Sequence, residues 1–220
     1  MKNNKTIYFL MMLLPLFITL VALLFLPETI PAHYDFAGEV DRWGSKYETL
    51  IFPAVTVLMG LFMLFMAKVA AKDKEGGEKN EKAVLYTGMG ISVWFTIMHC
   101  YGLYMDFTLA KNLYDVAVDI NRLFCIILGI GMAIMGIFMP KLNKNSVIGL
   151  RTVWSMKNDA VWKKCQIFGG ALFIVGGALM AVTGLVFEGM TAMFTALGIL
   201  ICCSAAGIIY SYFAAKQDEE

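Results

Sequence analysis

The sequence predicts an all-α integral membrane protein, a bundle of six transmembrane helices with both termini cytoplasmic, and three observations carry that prediction. Hydrophobic residues make up 59% of the chain and charged residues only 16%, with a mean hydropathy of +0.69, whereas soluble domains run near about 45–50% apolar and about 25% charged. Six uncharged runs are each close to the ~20 residues that a helix rising about 1.5 Å per residue needs to cross a hydrocarbon core of about 30 Å. Finally, with the N-terminus inside, only Arg42, Lys46, Lys111 and Arg122 of the 18 Lys and Arg fall outside, which is the asymmetry of a positive-inside topology. The net charge of +1 conceals this asymmetry and gives no ground for direct nucleic-acid binding.

The first run is Thr6 to Leu26. Lys2 and Lys5 precede it as the basic region of a signal peptide would, but its apolar core exceeds the ~7–15 residues of such peptides and no small-x-small cleavage site follows. It reads as a retained helix, stopped by Pro27 and Pro31. An outer loop over 27–49 leads to the second run, Leu50 to Ala67, and an inner connector over 68–82 follows, whose "KDKEGGEKNEK" mixes signs around Gly76 and Gly77 and reads as a solvated linker. The third run, Ala83 to Met105, carries His99; the fourth, Leu123 to Met139, is the shortest and draws on Asn121 and Arg122 to complete the crossing. An inner loop over 140–164 precedes the fifth, Cys165 to Phe187. Almost nothing separates that run from the sixth, Gly189 to Ala215, and Asp218, Glu219 and Glu220 form a short acidic tail.

Within the fifth run, "GGALFIV" is followed at once by "GGALMAV", so Gly169, Gly170 and Ala171 recur as Gly176, Gly177 and Ala178. A seven-residue step returns to nearly the same helix face, and small residues on one face let another helix approach closely. Gly129 and Ala133 offer a partner surface on the fourth helix; a glycine-lined permeation path is the functional alternative. Cys100, Cys125, Cys165, Cys202 and Cys203 lie in or at the ends of helices, without the spacing of a metal site.

Two polar constellations stand out. In the outer "PETIPAHYDFAGEVDRWGSK", Tyr34, Phe36 and Trp43 suit the headgroup belt. His33, Asp35, Glu39 and Asp41 are weak candidates for a divalent cation, with His99, Asp106 and Glu188 near the same surface. An Asp-x-x-Gly turn with ionic partners and aromatic anchors needs no metal, and no cofactor is expected. In the inner "NKNSVIGLRTVWSMKNDAVWKK", Asn158 can cap a short interfacial helix, with Asp159 in its first turn and Trp162, Lys163 and Lys164 beyond. Arg151 and Thr152, framed by Gly149 and Trp154, could hold an anionic headgroup or a partner carboxylate through the guanidinium fork; positive-inside anchoring alone is the plainer account.

These two loops carry a resemblance. "LPETIPAHYDFAGEVDRWGSK" resembles the outer-loop signature of the domain of unknown function that follows the first helix in SdpI-type membrane proteins, with Pro31, His33, Gly38, Asp41 and Lys46 on its motif. "NSVIGLRTVWSMKNDAVWKKCQIFGG" is similar to the SdpI-family signature itself, with Asn145, Gly149, Arg151, Thr152, Trp154 and Trp162 on its motif. The family pattern usually continues with a Thr-His pair, where this chain has Cys165 and Gln166. The organisation expected is a two-helix unit over 1–82 and a four-helix SdpI-like region over 83–220.

The resemblance implies a bacterial cytoplasmic-membrane protein giving immunity to a secreted antimicrobial peptide toxin, and possessing, as in the family's founding member, a signalling role in which a cytoplasmic transcriptional repressor is held at the membrane. The toxin would meet the outer loop at Pro31, His33, Tyr34, Asp35, Gly38, Asp41, Trp43 and Lys46, and the repressor would meet Asn145, Gly149, Arg151, Thr152, Trp154 and Trp162. Coupling would require two bundle arrangements, with the glycine-rich fifth helix as a candidate sliding surface. A transporter or channel is the first alternative, with His99, Asn121, Arg122 and Asp106 as its few polar groups near membrane depth. A metal-dependent membrane enzyme using His33, Asp35 and Asp41 is the second, although no H-E-x-x-H or G-x-S-x-G motif occurs, so no enzyme is expected.

Overall fold

Each apolar run forms a helix, and the ends of the helices depart from the ends of the runs for local reasons. The computed structural model describes residues 2–72, 76–114 and 116–218; Lys74, Glu219, Glu220 and the Lys2 side chain, which entered the reading of charge, connector and tail, lie outside it. The helices are α1 (Lys2–Ala22), α2 (Ile51–Ala70), α3 (Gly77–Thr108), α4 (Ile120–Phe138), α5 (Asp159–Val186) and α6 (Gly189–Lys216). All six are long and apolar enough to cross a membrane. Their outer faces stay apolar: Phe17, Leu58 and Phe194 are more than 60% exposed, as lipid-facing side chains are.

Two expectations are corrected. The outer loop does not merely run along an interface: Thr29–Tyr34 (β1) and Val40–Ser45 (β2) pair antiparallel as a hairpin. α1 ends at Ala22, and Pro31 sits inside β1 opposite Trp43. Because Lys46 N–H bonds to Glu28 O and bonded pairs alternate along an antiparallel ladder, the Pro31–Trp43 pair needs no N–H from proline. The interfacial helix expected near Asn158 is instead the first turn of α5 itself. Asn158 accepts from Val161 N–H at 2.9 Å and caps it.

Helices α1 to α3 pack around Tyr8, Met12, Met63 and Val84. Tyr8 donates to Gly60 O at 2.8 Å, and Gly88 leaves the space its ring fills. In the last turn of α1, the Thr19 hydroxyl donates to Pro15 O at 2.8 Å, which leaves it to accept from His99 Nε2 at 2.6 Å, and the His99 ring stacks on Phe52 at the start of α2. Helices α4 to α6 pack around Cys125, Met132, Met180 and Ala196.

The glycine repeat is a packing device, as its spacing predicts. A Cβ at Gly129 would stand 2.5 Å from Gly177 O, one at Gly136 2.6 Å from Gly170 O, and one at Gly184 2.6 Å from Arg122 O. Gly170 and Gly177 therefore face α4, including Gly129 and Ala133. Their neighbours Gly169 and Gly176 face Met139 with Leu150 and Cys203 respectively. Backbone against backbone at this range makes α4 and α5 one close-packed pair rather than a smooth sliding surface.

Candidate functional site

The two matched loops lie at opposite ends of the bundle. At the hairpin end, the Asp35–Gly38 turn closes β1 onto β2. Gly38 N–H donates to Asp35 O at 3.0 Å, Glu39 N–H to the Asp35 carboxylate at 2.9 Å, and Asp35 N–H to Glu39 O at 2.9 Å. Gly38 has φ +81°, and a Cβ there would stand 2.5 Å from the Tyr114 ring. Val40 N–H donates to Lys111 O and Leu113 N–H to Gly38 O, so residues 111–113 lie along the hairpin like a short extra strand.

The side chains divide into those used by the fold and those left exposed. Pro31 is buried; Lys46 pairs with Glu28 at 2.9 Å; Arg42 grips both oxygens of Glu48 at 3.1 and 2.9 Å. Tyr34 donates to Ala110 O at 2.9 Å. Burial, reinforced by the nearby Asp106 carboxylate, pushes its phenol up to about 12. Exposed are Phe36, at 90%, Trp43, and the His33–Asp41 pair at 2.6 Å. Asp35 is also exposed, with one carboxylate oxygen held in the turn by Glu39 N–H. Among the described residues no three His, Cys, Asp or Glu side chains lie close enough to share a metal ion.

Asp119, which the sequence reading missed, and Arg122, which it placed only as completing the fourth crossing or as a polar group of a transporter, organise the same end. Arg122 donates from Nε to Gly184 O at 3.0 Å, from one terminal nitrogen to Leu185 O at 3.0 Å and from the other to Glu188 at 2.8 Å, closing the last turn of α5. Asp119 caps α4 by accepting from Asn121 N–H at 2.8 Å, and its other oxygen accepts from Gly189 N–H at the start of α6. An Asp just before an apolar run is a cap signal, so Asp119 was findable; the long-range grip of Arg122 was not. His99 lies inside the α1–α3 pack, apart from this cluster, while Glu188 is held by Arg122.

At the loop end, Asn145 is 2% exposed and folds the loop onto itself. Its carbonyl accepts from Val147 and Ile148 N–H at 2.8 and 2.7 Å, and its amide donates to Asn143 O and Ile148 O at 2.9 and 3.1 Å. Gln166, fully buried, accepts from Leu150 N–H at 3.0 Å and donates to Leu150 O at 3.1 Å. Gly149 adopts φ +108°, and a Cβ there would meet the Gln166 oxygen at 2.5 Å. Thr152 accepts from Ser155 N–H and donates to Ser211 on α6 at 2.8 Å; Trp162 donates to Leu142 O at 3.0 Å and is buried. Asn145, Gly149, Thr152 and Trp162 thus build the loop. Arg151 and Val153 are exposed, and Trp154 rests edge-on against Tyr212. Among the described residues the Arg151 guanidinium has no hydrogen-bond or ionic partner.

Residues 141–211 match the family described as the SdpI/YfhL protein family, and residues 10–57 match a domain of unknown function, DUF1648. Residues 141–211 belong to the SdpI/YfhL protein family. The chain is also 26% identical over 162 residues to the immunity protein SdpI of Bacillus subtilis (strain 168), covering 72% of this chain and 70% of that one. A 44-residue stretch is 46% identical to an uncharacterized protein of Archaeoglobus fulgidus, 20% of this chain and 24% of that one. No solved structure matches the chain. All the outer-loop candidates fall in the first matched region and all the inner-loop candidates in the SdpI/YfhL region.

Proposed function

We propose that this multi-span membrane protein is an immunity protein of a bacterial cytoplasmic membrane, protecting the cell from a secreted peptide toxin. Its termini and the 140–158 loop lie inside, and the hairpin lies outside. The observation that carries this reading is the similarity to an immunity protein, which covers 72% of the chain and is joined by family matches at both loops. The chain acts by binding rather than by catalysis. Phe36, Trp43, His33 and Asp41 are the hairpin side chains free to meet a peptide, while Arg151, Val153 and Trp154 are those free to meet a cytoplasmic repressor.

Coupling between the two surfaces runs through α6. Its first residue is held by Asp119 and lies against Tyr114, whose ring also covers Gly38 of the hairpin; near its other end Ser211 holds Thr152, and Ala215 O accepts from Lys157. A ligand at the hairpin shifts the loop only if it binds two arrangements of this rod unequally.

The test is survival of a sensitive bacterium challenged with a secreted peptide toxin, comparing wild type, His33→Ala and Arg151→Ala at matched membrane levels. Wild type protects, His33→Ala protects less, and Arg151→Ala protects fully but no longer retains a repressor at the membrane. Survival of the wild-type strain no better than that of an empty strain would sink the immunity reading.

A further inference from the structure

We propose that the hairpin end carries a binding site for a zwitterionic lipid headgroup, specifically that of phosphatidylethanolamine, between Lys111 and Glu39. Two adjoining hollows meet there. The larger, about 450 Å³, is lined by Glu39, Val40, Trp43, Lys111 and Asn112. The smaller, about 250 Å³, shares Lys111 and Asn112 and descends to Tyr104 and Thr108 in the last two turns of α3. Since α3 is long and apolar enough to cross a membrane and Tyr104 and Thr108 lie at its hairpin end, a lipid headgroup would meet the smaller hollow first and the larger one next to it.

Charge identifies the occupant. Of the four Lys and Arg residues at this end, Arg42, Lys46 and Arg122 are each bonded to a carboxylate. Lys111 alone, among the described residues, has none. Glu39 also has no side-chain partner among the described residues, although the Glu39–Asn112 bridge sets it on the strand beside Lys111. A cation and a carboxylate that share one groove without neutralising each other fit a ligand with its own separated charges. The phosphate of a lipid entering from the α3 side would meet Lys111 first. Its ammonium would then reach Glu39 and the exposed face of Trp43, where a carboxylate and an aromatic ring both favour a cation. A primary ammonium suits the site better than choline, because only N–H groups can donate to Glu39. This site does not depend on the immunity reading or on which side the hairpin faces.

The experiment uses the full chain in nanodiscs of equal parts phosphatidylethanolamine, phosphatidylcholine and phosphatidylglycerol. Lipid retained after detergent extraction is counted by native mass spectrometry, with thermal unfolding as a check that variants fold alike. Phosphatidylethanolamine is expected to exceed phosphatidylcholine by about tenfold, the ratio one charge-assisted hydrogen bond supplies. The preference should fall to the bulk ratio in both Lys111→Gln and Glu39→Gln. Three results would each overturn the proposal: no enrichment in wild type, enrichment that survives both substitutions, or a preference for phosphatidylglycerol that needs Lys111 but not Glu39, which would make the site a simple anion contact.

Discussion

At the scale of single residues, the side chains with the largest structural effect are polar groups that satisfy distant backbone. Leu150 N–H has Gln166 as its partner, while Leu150 O is also reached by Ser155. Gln166→Leu therefore leaves one buried N–H without an acceptor, and a loss of about 1–3 kcal/mol is expected, measured as a lower thermal midpoint in detergent; an unchanged midpoint would show the loop is held otherwise. Arg122 serves three acceptors pointing in different directions, so Arg122→Lys should recover well under half of what Arg122→Ala loses, because an ammonium lacks the planar fork. Tyr34 is the residue whose titration reports hairpin docking. Its neutral phenol donates to Ala110 O, and its folded value lies near 12 against an ordinary 10. The stability it contributes is full below pH 10 and is lost as pH rises through 12. Tyrosinate absorbance of wild type should contain a late component near pH 12 that shrinks by one tyrosine in Tyr34→Phe.

At the scale of elements, the α4–α5 pair and the hairpin depend on different physics. The pair rests on glycines set against the facing backbone, so Gly177→Val must push α4 away, with overpacking costs of about 1–3 kcal/mol or more. Gly131→Ala, on the same α4 but with nothing within 4 Å of its would-be Cβ, should lose nothing and gain up to about 1 kcal/mol in the same thermal assay. Since helix propensity favours Ala over Gly, a loss at Gly131→Ala equal to that at Gly177→Val would mean that the close α4–α5 contact is not what the assay measures. The hairpin depends instead on turn chemistry and docking: Asp35 and Gly38 set the turn, and Tyr114 covers it. Its ion pairs are solvent-exposed and each contributes little, so Phe36, Trp43, Glu39 and the His33–Asp41 pair can be changed without unfolding it.

At the scale of the molecule, two three-helix packs are fastened to each other by irregular segments at both ends. The 140–158 loop places Val147 and Ile148 against the α1–α3 core, and Leu150 against Val161 and Ala214 of α5 and α6. Residues 109–114 fasten the hairpin, and Tyr114 links it to the α5–α6 corner. The proposed orientation makes a direct prediction. In a cysteine-free background, Phe36→Cys should react with a membrane-impermeant maleimide on intact cells, and Val153→Cys only after permeabilisation; the reverse pattern would invert the topology.

The sequence by itself determined the membrane class, the six crossings and the α4–α5 glycine contact. Each of these follows from hydropathy, length or helical period, which are properties of a single segment or of one helix face. It also marked the two polar loops, because unusual residues crowd within a few positions there. What it could not separate was structure from availability within those loops. Asn145, Gly149, Thr152 and Trp162 were read as a binding surface beside Arg151 and Trp154, yet their partners are Ile148, Gln166, Ser211 and Leu142. Only the tertiary structure assigned those partners, since a polar side chain is free or used according to what the rest of the fold brings within about 3 Å of it. The same holds for Arg122, whose acceptors lie more than 60 residues away along the chain.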